Sequence, residues 1–283
     1  MKPAAPFRKQ TAGSTASIVW FRHDLRLADN PALTAAWQKG GAVVPVFIWG
    51  PEEEGAWPPG SASRWWLHES LLRLAADLRK AGCELVIRRG RAIEELLSVA
   101  RETGAQSVFW NRRYEPAIML RDRQVKESAR AAGLEAESFN GALLHEPGRI
   151  QNKSGKPFQV FTPFWKTCLA LAEPDRPLSA PRKLAPAPRS PTSLLLGQLE
   201  LEPKPDWAGG LRATWQPGSA GAHAELKRFL ERPLSFLRRD PSPQPSPLWE
   251  GRGSDAGRSR TEFTRPVNSP LWEGRGSDVG RSL

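Results

Sequence analysis

Between Ile18 and Leu33 the chain reads IVWFRHDLRLADNPAL, a β-branched and aromatic run that breaks at a charged turn and passes into helix-start signals. A short apolar run bounded by turn residues suits a strand buried on both faces. Asp29 stands as the expected N-cap, with Pro31 just inside the first turn, where a missing N–H costs no hydrogen bond. Strand, charged turn and helix in that order form the first half of a βαβ unit.

The same alternation repeats outward. SIVWF, VVPVFIW, ELVIRR, SVFWN and AESFN are separated by stretches of helical period, so five parallel strands with crossover helices are expected from Ser17 to about Asn140. Gly82, Gly104 and Gly133 stand where three of these helices should stop. In SRWWLHESLLRLAADLRKAG the stripe expected to face the core is Trp66, Leu67, Leu71, Leu74 and Leu78. Trp20, Trp37, Trp49, Trp65, Trp66 and Trp110 are expected as core aromatics.

From Gly141 to Arg239 the pattern is less regular. NKSGKP reads as a turn, VFTPFWKTCLAL as a short helix beginning near Thr162 and Pro163, and Phe158, Phe161, Phe164 and Trp165 as packed aromatics. Prolines then dominate, as in a linker or a surface-hugging loop, before one helix over roughly 220–237. From Asp240 the chain is rich in Pro, Gly, Ser and Arg, and SPLWEGRGSD occurs twice, at Ser246–Asp255 and Ser269–Asp278. Disorder is expected there. GRGSDAG lacks the spacing and the strand-to-helix context of a phosphate loop, and Glu250, Asp255, Glu273 and Asp278 offset its arginines as an RNA-binding segment.

The net charge of +11 raises the local concentration of polyanions, nucleic acid above all. Cys83 and Cys168 stand far apart with no metal-ligand spacing, so neither a disulfide framework nor a metal site is expected, and the cytoplasm is the expected compartment. No run approaches the roughly 18 apolar residues of a membrane span. In open parallel sheets ligands bind outside the carboxyl ends of the strands, which directs attention to RHDLRLADN, GPEEE, RRGR and NRRYE. Asp24 and Arg26 there suit either holding a polar heterocycle or pairing with each other and the helix backbone. No dinucleotide fingerprint follows the first strand.

IVWFRHDLRLADNPAL, SRWWLHESL, LVIRRG, VFWNRRYEP and KPFQVFTPFWK, in this order, resemble the DNA photolyase/cryptochrome family from about Ser17 to Asp240. The resemblance implies a Rossmann-like α/β antenna domain at 17–140 after a disordered N-terminus at 1–16. It further implies an interdomain connector with short helices at 141–239, while composition alone marks the repetitive tail at 240–283 as disordered. By the same resemblance Asp24, Arg26, Ile48, Trp49 and Arg64 wall the pocket of a deazaflavin or flavin antenna. Glu115 matches a carboxylate that contacts the pterin of methenyltetrahydrofolate, and Asn111 suits either arrangement. Arg113 departs from the pattern where deazaflavin-type members carry an acid. The family's FAD, its tryptophan chain and its lesion pocket belong to a helical domain that nothing after Asp240 resembles. The implied function is a truncated deoxyribodipyrimidine photolyase, a light-dependent DNA-repair lyase inactive by itself and touching DNA only weakly. The alternative is a stand-alone α/β module for a nucleotide-like ligand.

Overall fold

The computed structural model describes residues 15–146, 148–171 and 175–231. Its centre is a five-stranded, wholly parallel sheet of order β3-β2-β1-β4-β5, made of β1 (Ala16–Phe21), β2 (Ala42–Trp49), β3 (Val86–Arg89), β4 (Ala105–Asn111) and β5 (Glu135–Phe139). Helices α1 (Pro31–Lys39), α2 (Ser61–Ala81), α3 (Ala92–Thr103) and α4 (Pro116–Ala131) cover its faces. Ile18, Trp20, Val44, Val46 and Trp110 pack with Leu96, Val99 and Val125 from α3 and α4. Val19, Phe21, Val43, Phe47 and Phe109 pack with Leu33, Leu71, Leu74 and Leu78 from α1 and α2. Alternate strand residues thus feed two cores, which is why the strands are apolar throughout rather than alternating with polar residues.

Helix ends follow mostly from the expected residues. Gly82 and Gly104 occupy the left-handed cap positions of α2 and α3, and Gly133 takes a positive φ just beyond α4. The start of α1 is a correction: Asn30, not Asp29, is the N-cap, its side chain accepting from the Leu33 N–H. Asp29 is left-handed, at φ 50°, and exchanges hydrogen bonds with the backbone of Leu178 instead. A second correction concerns α2, where Trp65 is 1% exposed and Trp66 40%. Leu71, Leu74 and Leu78 are buried as the stripe requires, but at its start Trp65 takes the core place and Trp66 stands outside, as Trp37 does on α1. Cys83 is buried, and that burial pushes its thiol up to about 11, so it stays protonated and inert.

The irregular region returns to the sheet. Ala185 bridges to Ala42, the Val43 N–H donates to the Ala185 carbonyl, and the Ile87 N–H donates to Ser193 Oγ. Leu184, Leu199 and Leu201 are buried in the core beneath α2. The turn at Asn152 forms, with the Ser154 and Lys156 N–H groups donating to its side chain. Helix α5 (Phe161–Leu169) forms as well, but it buries none of its residues. Phe161, Phe164 and Trp165 are exposed rather than packed, with Phe161 stacked on Trp165 and Phe164 edge-on to Phe158. Two further helices, α6 (Gly209–Thr214) and α7 (Ser219–Glu231), complete the described chain. The repeated tail lies outside the described residues. No described helix is long and apolar enough to cross a membrane, and no described cluster of His, Cys, Asp or Glu has the arrangement of a metal site.

Candidate functional site

Strand order reverses between β1 and β4, and the backbone parts beyond their carboxyl ends. Asn111 closes β4 there and is buried. Its Nδ2 donates to Asp24 Oδ2 at 2.6 Å and to Asn30 Oδ1 at 2.8 Å, while its Oδ1 accepts from the Ala32 N–H at 3.1 Å. The Arg22 N–H donates to the other Asp24 oxygen at 2.8 Å. Arg26 spans the same turn, donating to the carbonyls of Asp29 and Gly141. Gly141 must be glycine for this approach, because a Cβ would come within 2.7 Å of the Asn111 side chain. Asp24, Arg26 and Asn111 therefore spend their polar groups on the loop itself, which is the internal pairing that the sequence left open.

Beside this knot runs a chain of ion pairs. Arg22, directly after β1, is buried and donates to Asp122 at 2.6 Å and to the Asn111 carbonyl. Asp122 also accepts from Arg121 at 3.0 Å, and Arg121 approaches Glu54 at 3.7 Å. Glu54 takes a two-pronged bond from Arg113 at 2.8 and 2.7 Å, and Arg113 reaches Glu115 at 2.9 Å. Three guanidiniums face three carboxylates, so the chain is neutral. Burial by itself raises the carboxyls of Glu54 and Glu115, yet the bonds and charge of Arg113 outweigh it and hold both below the ordinary carboxylate value. Burial, reinforced by the charge of Arg113, lowers the imidazole of His23, which is neutral at pH 7. The guanidiniums of Arg22 and Arg121 lie 4.8 and 5.1 Å from the ring centre of Trp20.

Two clefts open on these groups, and His23, Arg26, Arg113 and Glu115 line both. One, of about 1420 Å³, is polar and includes Asp24, Asn111 and Tyr114. The other, of about 960 Å³, lies over the ends of β1 and β2 and is walled by Ile48, Trp49, Trp57 and Trp66. Of the seven expected residues, the structure thus joins Ile48, Trp49, Arg26 and Glu115 at the second cleft and sets Asp24 and Asn111 in the first. Arg64 is elsewhere, lining a cleft of about 270 Å³ with Glu202 and Trp207. Only two positions along α2 separate it from Trp66, but that is about half a turn and sets it toward the returning connector.

Residues 17–186 match the family model described as DNA photolyase. The chain belongs to the DNA photolyase family. It is 46% identical over 215 residues to the deoxyribodipyrimidine photo-lyase of Agrobacterium fabrum, a match covering 76% of this chain and 44% of that protein. A crystal structure of a bacterial class III photolyase from Agrobacterium tumefaciens superposes with a TM-score of 0.73 at 44% identity, over 79% of this chain and 46% of its own. An uncharacterised 31.6 kDa protein of Synechococcus is 31% identical over 76% of this chain and, unlike the photo-lyase, is covered over 74% of its own length. This photolyase-family chain thus spans less than half of the Agrobacterium proteins it matches.

Several groups at these clefts escaped sequence reasoning. Arg22 was hidden inside a motif whose Asp24 and Arg26 drew attention. Glu54 stood in GPEEE without being singled out, Arg121 and Asp122 come from a helix with no motif, and only folding brings them to Arg113. Trp57 and Trp66 line the cleft because they are not core; Trp57 lies before α2, and on α2 the leucine spacing alone does not choose between Trp65 and Trp66.

Proposed function

We propose that this chain is the light-harvesting portion of a photolyase-type DNA-repair system, and that the 960 Å³ cleft holds a conjugated heterocycle of the flavin or pterin class that presents no phosphate to it. The cleft itself carries this reading. Its size falls within the range of small-molecule sites, roughly 300–1,000 Å³, and aromatic walls face a floor that offers polar groups without net charge. Trp57 and Trp66 stand exposed enough to stack on a ring, Ile48 and Trp49 form the apolar wall, and Arg113 and Glu115 present donor and acceptor atoms at the edge. A neutral floor disfavours a phosphate, which needs unpaired cations, and so separates this reading from a nucleotide module. Members of the family bind FAD and an antenna chromophore. Such an antenna absorbs near-UV or blue light and passes the excitation to an acceptor. The chain's own residues bind and orient the ring, and the ion pairs keep the floor rigid. Repair itself belongs to the larger part of the photolyase that this chain does not match, so the chain incubated with FAD, reductant and dimer-containing DNA under blue light is expected to restore no dimers.

The test is a fluorescence titration of the purified protein with riboflavin, methenyltetrahydrofolate and AMP. Riboflavin or the folate is expected to bind and AMP not. The W57A/W66A double substitution should weaken binding at least tenfold, about 1.4 kcal/mol, at two aromatic contacts. E115Q should cost about 1–3 kcal/mol if its charge assists the bond to the ring. Preference for AMP, or indifference to the tryptophans, refutes the reading.

A further inference from the structure

We propose that the outer edge of β5 is an oxyanion site, in which Lys126 and Arg130 of α4 meet the hydroxyl of Ser138, and that it takes the terminal phosphate of a small molecule. The sheet ends at β5, so one side of that strand has no neighbouring strand. There Arg130 donates to the Ala136 carbonyl at 3.0 Å and Arg112 donates to the Ser138 carbonyl. Covering an open edge in this way keeps a further strand from pairing with it, and that need accounts for both arginines. It does not account for Lys126. That ammonium makes one long contact, at 3.4 Å, to Ser138 Oγ, which also accepts from Arg112 at 3.3 Å.

Three cations thus gather around one hydroxyl. Arg112 is matched by Glu146 at 2.6 Å, but among the described residues neither Lys126 nor Arg130 forms an ion pair, and Glu135 on the same strand is taken up by Lys39. Lys126 and Arg130 also stand one turn apart on α4, where like charges repel. Burial pushes the Lys126 ammonium below its ordinary value, and the charges of Arg130 and Arg112 push the same way against the pull of Glu137. A bound anion offsets this repulsion. Its donors are in place: Ser138 Oγ receives bonds and keeps its own hydrogen free, and Lys126 and Arg130 hold N–H groups that no protein acceptor uses. These donors meet at one point rather than along a line. A phosphate monoester brings about two charges to a point, whereas a nucleic-acid strand offers its charges one by one along its length. None of Lys126, Arg130 and Ser138 lines either of the two large clefts, so the inference is independent of the chromophore reading.

The experiment titrates the full chain with inorganic phosphate and with glycerol 3-phosphate, ionic strength being held constant with chloride, and follows the backbone amide resonances of Lys126, Arg130 and Ser138. Saturable shifts centred on these three residues are expected with both phosphates. K126Q and R130Q should each weaken binding about tenfold, while K126R, which keeps the charge, should stay within about threefold of the parent. Should R130Q fail to fold through loss of its bond to β5, K126Q against K126R decides alone, since Lys126 bonds no backbone group. A further arm adds a single-stranded oligonucleotide without terminal phosphate. Tighter binding of that strand than of either phosphate at this edge overturns the inference in favour of a polynucleotide. The absence of a saturable shift at Ser138, equal shifts with chloride, or equal affinity in the parent and K126Q overturns it outright.

Discussion

Asn111 shows how much one side chain can hold at a point where a sheet reverses its strand order. Its amide joins the turn after β1, the cap of α1 and the start of α1, with every polar atom used. N111L, close in volume but apolar, strands the Asp24 carboxylate and the Ala32 N–H, and is expected to lower stability by about 2–4 kcal/mol in chemical denaturation. The ion-pair chain makes a different prediction, set by proton linkage. His23, Glu54 and Glu115 all have folded values below their ordinary ones, so on acidification the unfolded chain takes up protons that the folded chain refuses. Stability is full above the ordinary histidine value of 6.5, falls below it through His23, and falls again below 4.5 through the two glutamates. Denaturation curves from pH 8 to pH 4 should show the first decline in the parent and lose it in H23Q; an unchanged onset contradicts the assignment. E54Q leaves Arg113 and Arg121 short of a partner and should cost about 2–3 kcal/mol at pH 7, less than full burial would exact because Glu54 is partly exposed.

Helices differ in how far their own pattern declares their orientation. The leucines of α2 have the spacing of a core stripe, and Leu71, Leu74 and Leu78 are buried as that spacing requires. Two adjacent tryptophans satisfy the same stripe almost equally, and the choice between them is made by what stands opposite. Trp65 enters the core, while Trp66 lies edge-on to it at 6.1 Å and to Trp215 at 6.0 Å, on the rim of the cleft. W65A is therefore expected to destabilise by about 3–5 kcal/mol and W66A by about 1 kcal/mol, read from denaturant midpoints. Equal losses would place both rings in the core. The aromatic residues of α5 present the opposite case, for its apolar stripe is as clear as that of α2 and nothing in the described chain covers it.

At the scale of the molecule, the sheet domain is not finished at β5. Leu184, Leu199 and Leu201 arrive from a proline-rich stretch that composition marks as linker, and they complete the core under α2. L199A should cost about 2–5 kcal/mol in a melting experiment, as a core leucine does, and a loss under 1 kcal/mol would mean that the returning segment only drapes the surface. The five strands, their parallel pairing and the helix stops were legible in sequence because they depend on local period, on residues without a β-carbon and on apolar strands buried on both faces. The motif after β1 likewise pointed to the end of the sheet where the two clefts open. Which of its charged residues remain available to a ligand was not legible, because Asp24, Asn111 and Arg26 are consumed by partners up to 115 residues away, and Glu54, Arg113 and Arg121 meet only in space. Periodicity is a property of neighbours along the chain. Charge compensation, the wall of a cleft and the uncovered face of a helix are properties of neighbours in space, and only the tertiary structure decided them.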